Sequence, residues 1–158
     1  MIIRDIAKKD AADILSLIRA KAEFDGCLAS LKSKEAEIRD AFLSSEPKAS
    51  AIVAEVEGMV VGIATYYKIY STFIAKPGIW LDDLFVYDEH RKLGAGRKLM
   101  EGLCDIALKT GCGRIDWIVA RDNESGRGFY ESIGATIFEE VRHSRLDEKA
   151  IITLAGNA

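Results

Sequence analysis

Arg91-Lys92-Leu93-Gly94-Ala95-Gly96-Arg97-Lys98 is the stretch on which the fold turns. Before it stands Ile79-Trp80-Leu81-Asp82-Asp83-Leu84-Phe85-Val86, which reads as a strand. After it Leu99, Met100, Leu103, Ile106 and Ala107 recur at the spacing of one helix face, up to about Thr110. That order puts a helix N-terminus at the glycine loop. Such an end presents N–H groups without intrahelical partners and the positive pole of the peptide dipoles, which suits a phosphate or pyrophosphate. Two glycines let the backbone come close to an anion, and Arg91, Arg97 and Lys98 add charge. A tight turn with solvated basic side chains accounts for Gly-x-Gly alone equally well. The Rossmann pattern fails because Leu99 stands where its third glycine belongs, and a P-loop fails for want of Gly-Lys-Ser/Thr.

Working outward, residues 2–6 read as a short strand and residues 8–23 as an amphipathic helix with Ala11, Ile14, Leu15, Ile18 and Ala22 on one face. A second helix is expected from Ser33 as N-cap to about Leu43, with Glu35 and Glu37 in its first turn. Residues 51–56 and 59–67 read as strands joined by a tight hairpin at Glu57-Gly58. Beyond the loop helix, residues 114–120 are predicted as a strand and 124–133 as a helix with Gly134 at C′. Two closing strands are expected at about 135–142 and 149–154. The order βααβββαβαββ gives one α/β domain over residues 1–158, a mixed sheet with helices on both faces.

The chain has 158 residues, 49% of them hydrophobic, enough for one core without staples. Twenty-two basic against 25 acidic residues give a formal charge of −3, without the basic stripe of a nucleic-acid binder. Cys27, Cys104 and Cys112 have no CxxC spacing and read as reduced thiols of a cytoplasmic protein, Cys104 among apolar neighbours. No signal peptide or membrane-length apolar run stands out. His90 and His143 lack metal-ligand spacing with any Cys or acid cluster, so no metal is expected.

With Arg91-x-x-Gly94-x-Gly96, the opening Ile-Arg strand, Asp10-x-x-Asp13-Ile14, and the late Asn123-Glu124-x-x-x-x-Phe129-Tyr130-x-x-x-Gly134-Ala135, the chain resembles the GNAT superfamily of N-acetyltransferases. Through Tyr66-Tyr67, Ile74-x-Lys76 and residues 81–86 it resembles, within the superfamily, the spermidine/spermine group, which includes thialysine acetyltransferases. The resemblance implies a mostly antiparallel central sheet splayed between strands 4 and 5, acetyl-CoA as acetyl donor, and a homodimer. It implies that Arg91, Lys92, Leu93, Gly94, Ala95, Gly96 and Arg97 surround the coenzyme pyrophosphate. The pantetheine arm would pair like a strand with Phe85, Val86 and Tyr87, and a splayed strand at 118–120 would open the acetyl slot. Asn123 would hydrogen-bond that arm; as a helix-start residue it is equally a cap.

The matching tyrosine in the family, here Tyr130, acts as general acid on the departing thiolate; without the motif it reads as a core aromatic beside Phe129. A thiol near ~8.5 and a tyrosine near ~10 make full proton transfer uphill by roughly 2 kcal/mol, so hydrogen bonding to developing charge dominates. Asp82 stands where related enzymes carry a glutamate base; its shorter side chain favours a bridging water, and a solvated strand carboxylate is the plain alternative. Strict alternation would turn Asp82 and Asp83 to opposite faces. Phe24 and Asp25 match positions that line the acceptor site, where Asp82 and Asp83 would also contact the amine. The group's acid-Pro-Trp element is replaced by Ser71-Thr72-Phe73, which argues against long polyamines.

The expected activity is acetyl transfer to a small aliphatic amine, a diamine, polyamine or lysine-like amino acid, by direct attack. Protein or antibiotic acetylation is the alternative within enzymes, and a non-catalytic coenzyme A sensor the alternative outside them.

Overall fold

The computed structural model describes residues 1–156, which fall into two compact units, Met1–Trp117 and the described residues from Ile118 onward. The first unit holds β1 (Ile2–Asp5), α1 (Ala11–Phe24), α2 (Glu35–Leu43), β2 (Ser50–Val56), β3 (Met59–Ser71), β4 (Lys76–Val86), α3 (Ala95–Lys109) and β5 (Ile115–Asp116). The strands lie in sequence order; β1 to β4 pair antiparallel, and β5 joins β4 in parallel. The β2–β3 hairpin turns through Glu57 (φ 51°) and Gly58 (φ 82°). Two positive φ values in a two-residue loop match the right-handed twist of the strands, as the Glu-Gly pair anticipates.

Helices cover both faces of this sheet. On one, Ile14 and Leu17 of α1 and Ile38 of α2 pack with Ala51, Val53, Ile63 and Phe85. Apart from Ala51, each of these apolar side chains contributes about 1.5–3 kcal/mol when fully buried. On the other, α3 lies so near the strands that a Cβ at Gly102 would stand 3.0 Å from Ile3 and from Ile52. Gly102→Val would push the helix off the sheet. Leu99 and Leu103 are buried as the helical spacing requires, whereas Cys104 is exposed rather than lodged among apolar neighbours.

The start of α2 differs by one residue from expectation. Lys34, not Ser33, is the N-cap, and its N–H donates to the Glu37 carboxylate at 3.0 Å. That bond is the return half of a capping box, so the position of Glu37 marks the helix start.

The second unit holds α4 (Glu124–Ser132) and α5 (Glu148–Leu154). Gly134 (φ 89°) ends α4 in a Schellman arrangement: its N–H donates to the Glu131 carbonyl at 3.0 Å, and Ala135 N–H to the Tyr130 carbonyl at 3.0 Å. The two expected closing strands do not form. Residues 135–142 are irregular, and 148–154 are helical because the Asp147 carboxylate accepts the Ala150 N–H at 2.8 Å and nucleates the turn. The expected strand 114–120 is likewise only Ile115–Asp116, and 118–120 forms no strand.

Candidate active site

The site in the first unit begins with an irregularity in β4. Thr65 pairs with Asp83, but the next residue, Tyr66, pairs with Leu81, so Asp82 is an extra residue without a partner in β3. This β-bulge corrects the alternation expected for the two aspartates. Asp82 is exposed and Asp83 half-buried, and the charge of Asp82 acts on both Asp83 and the Tyr67 phenol.

Asp83 is fixed by a buried hydroxyl. Its N–H donates to Thr65 Oγ1 at 3.0 Å, and that hydroxyl donates to Asp83 Oδ2 at 3.2 Å. Lys21 Nζ reaches Asp83 Oδ1 at 3.7 Å while donating a hydrogen bond to Asp25. Burial pushes the Asp83 carboxyl above the usual range. Lys21 pulls it back, Asp82 raises it, Thr65 lowers it and Asp25 raises it again, in decreasing order. Three carboxylates therefore face one ammonium, and the surplus of negative charge suits a cation.

Next to this cluster an aromatic wall forms. The rings of Phe24 and Phe85 lie 6.4 Å apart, and Tyr87 meets Phe85 edge-on at 5.9 Å. Arg91 lays its guanidinium 4.8 Å from the Phe24 ring and 5.3 Å from that of Phe85. Its Nε donates to the Val86 carbonyl at 2.9 Å, and Asp88 pairs with it at 2.8 Å. Arg91 thus ties the end of α1 to the end of β4.

The glycine loop follows directly. Lys92 (φ 62°) and Gly94 (φ 85°) are left-handed, Lys92, Leu93 and Gly94 are exposed, and Ala95 is buried under the first turn of α3. Gly94 is the N-cap and brings no side chain to the helix end, so the first-turn N–H groups face the loop without a side-chain acceptor from their cap. A Cβ at Gly94 would touch nothing within 4 Å; its φ is what requires glycine.

The third feature is an edge. β5 pairs only with Ile79 and Trp80, so among the described residues the ladder of β4 from Leu81 to Val86 has β3 alone. No second strand takes up the outer N–H and C=O groups there, as at a strand edge, and Arg91 Nε occupies the Val86 carbonyl at its end.

In the second unit Asn123 caps α4, its Oδ1 accepting the Gly126 N–H at 2.9 Å. A Cβ at Gly126 would stand 2.6 Å from Asn123 Nδ2, so glycine is what lets the amide close over the helix end. Tyr130 lies on the same helix with its ring 5.3 Å from that of Phe129.

The sequence profile of the acetyltransferase (GNAT) family matches residues 15–135 of the chain. This protein belongs to the GNAT acetyltransferase family. The GNAT match takes in both aspartates of β4, the glycine loop, Asn123 and Tyr130. A thialysine N-epsilon-acetyltransferase of Sus scrofa is 30% identical, over 99% of this chain and 98% of its own. An L-ornithine N5-acetyltransferase of Arabidopsis thaliana is 36% identical over 59% of this chain, a match spanning 41% of that relative. Among solved structures, an integron cassette protein from the mobile metagenome of V. cholerae superposes with a TM-score of 0.78 at 26% identity, covering 98% of this chain and 96% of that one. No helix among the described residues of this GNAT enzyme is long and apolar enough to cross a membrane.

The GNAT first unit brings together Phe24, Asp25, Asp82, Asp83, Phe85, Tyr87 and Arg91, while Asn123 and Tyr130 share α4 of the second. Reasoning from sequence missed Thr65 and Lys21. The i,i+4 spacing of Lys21 and Asp25 is a signal that could have flagged the lysine; no sequence signal marks Thr65.

Proposed function

We propose that this GNAT enzyme transfers an acetyl group from acetyl-CoA to the primary amine of a small aliphatic amine, by direct attack and as one acetyltransferase domain over residues 1–158. The observation that carries the reading is the carboxylate cluster Asp25, Asp82 and Asp83 beside the open edge of β4, a short run before the left-handed Gly94. A cation is drawn to the cluster, and an extended chain with amides satisfies the edge. The α3 N-terminus suits a pyrophosphate, so the residues present fit the coenzyme. Phe85 to Tyr87 would hold the pantetheine arm, 91–97 the pyrophosphate, and Asn123 an amide of the arm in addition to its cap. When bound, acetyl-CoA supplies an acyl group already activated as a thioester.

An alkyl ammonium near ~10.4 must give up about 4–5 kcal/mol to become neutral at pH 7. Asp82, the exposed member of the pair, takes that proton through water. Asp83, whose proton affinity burial has raised, keeps the surroundings anionic and holds the ammonium before it reacts. Tyr130 would supply a hydrogen bond for the coenzyme sulfur, where negative charge develops. Phe24 and Asp25 contact the rest of the acceptor. The names of the two relatives describe amino acids with a terminal amine, which supports a lysine-like acceptor within this class. The exposed Phe73, in place of an acid-Pro-Trp element, supports a short acceptor over a long polyamine. The proposed enzyme is a cytoplasmic homodimer, as in the group it resembles; sedimentation of the purified chain checks the dimer.

The test is acetyl-CoA turnover, read as thiol release, against polyamines, diamines, basic amino acids and peptides. Turnover is expected on the small amines alone. Tyr130→Phe should keep coenzyme binding and lose roughly 10²-fold in turnover; unchanged turnover removes Tyr130 from the mechanism.

A further inference from the structure

Asp25 caps the C-terminal end of α1, where the helix dipole disfavours a carboxylate. Lys21, one turn earlier, compensates it through a hydrogen bond and leans toward Asp83 at 3.7 Å. The lysine is 22% exposed and Asp25 37% exposed, so the pair is open to solvent on one side. An ammonium carries three donors and a carboxylate about four acceptor sites, so this pair has capacity for further partners. The Lys21–Asp25 ammonium–carboxylate pair is complementary to a second such pair reversed, and Asp82 and Asp83 remain for a further ammonium. The α-carbon of an amino acid carries that pair. A plain diamine offers an ammonium to Asp25 and meets the like charge of Lys21.

We infer that Lys21 is the specificity-determining residue of the acceptor site, binding the carboxylate of an amino-acid acceptor and disfavouring the second ammonium of a diamine. The inference rests on the acetyltransferase reading above and narrows it to α-amino acids with a terminal amine. Asp25 takes the α-ammonium, Lys21 the α-carboxylate, and the terminal amine goes to Asp82 and Asp83. Phe24, packed under Arg91, forms an apolar wall close by for the methylene chain.

The experiment compares kcat/KM for L-lysine and L-ornithine with their decarboxylated counterparts, cadaverine and putrescine, in the wild type, Lys21→Met and Lys21→Arg, with thermal denaturation to check folding. The wild type is expected to prefer the amino acids. Lys21→Met should lower their kcat/KM about tenfold to hundredfold, the scale of one charge-assisted hydrogen bond, chiefly through KM. It should raise kcat/KM for the diamines, and Lys21→Arg should keep the original preference. L-lysine methyl ester on the wild type, which needs no variant, should show a loss of the same order against L-lysine. An unchanged amino-acid to diamine ratio in Lys21→Met, or a methyl ester used as well as lysine, overturns the inference. Wild-type turnover of diamines or polyamines alone overturns it and leaves the acetyltransferase reading standing; no turnover with any amine overturns both.

Discussion

Two ion clusters in the first unit set an aspartate against a cation and shift its carboxyl in opposite directions. At the foot of the sheet Arg4 forks onto Asp10 at 2.7 and 3.0 Å and reaches Glu55 at 2.7 Å, while the Ala7 N–H donates to Asp10 at 2.7 Å. Asp10 is more deeply buried than Asp83, yet its carboxyl is held below the usual range, first by the Arg4 hydrogen bonds and against the effect of burial. Asp83 is pushed up first by its burial, which a distant lysine and a hydroxyl do not offset and two other carboxylates reinforce. At Asp10 the directed donors outweigh burial, whereas at Asp83 burial is the larger effect and its weaker donors do not offset it. The first cluster holds a charge in place with directed donors, and the second leaves a surplus of carboxylates around one ammonium, which the proposed function assigns to the acceptor amine.

The comparison can be broken most forcefully at Arg4. Arg4→Met leaves Asp10 buried without its fork and should cost about 3–5 kcal/mol, read from urea denaturation; a loss under about 1 kcal/mol would make the first cluster ornamental. Asp82→Asn should do the reverse, lowering kcat about 10²-fold with stability changed by less than about 0.5 kcal/mol, since the residue is exposed.

Asp83→Asn should raise stability at neutral pH by about 0.5–2 kcal/mol while raising KM for the amine. Its pH dependence gives the sign. A raised native carboxyl means that the folded state binds protons more tightly than the unfolded one, so the stability contribution is full below the ordinary value near 3.8 and lost as pH rises through the raised value. For Asp10 the depressed carboxyl stabilises above that ordinary value and loses its contribution as pH falls through the depressed one. Denaturation midpoints against pH in Asp10→Asn and Asp83→Asn should therefore lose opposite slopes. Thr65→Val, the mildest change, should cost about 1 kcal/mol and push the Asp83 carboxyl further up, shown by NMR titration of that carboxyl.

What could be read from the residues alone follows the range of the forces involved. Glu57-Gly58, Gly134 and Gly94 act through their own backbone angles, and the α1 and α3 faces through a period that repeats several times, so these elements were legible. The two aspartates at 82 and 83 were legible as chemistry but not as geometry. The bulge that frees Asp82 arises from register between β3 and β4, and no residue announces it. The C-terminal segment misled for a related reason. Ile151, Ile152 and Thr153 favour a strand only where a partner ladder exists, and a short apolar run does not distinguish helix from strand. Asp147, a local cap, then carries the decision.

The open row of β4 also means that the protein can be addressed by something that is neither an amine nor a nucleotide. A short extended peptide or amide oligomer could dock along Leu81 to Val86 by main-chain hydrogen bonds alone, as strand addition does elsewhere. Inhibitor design here could therefore start from a backbone mimic whose length and register are set by β4, with selectivity added afterwards by the groups it sends toward Asp82 and Phe85. The same row is a template for a second copy of the chain, so preparations kept without such an occupant should self-associate more readily with concentration than those kept with one.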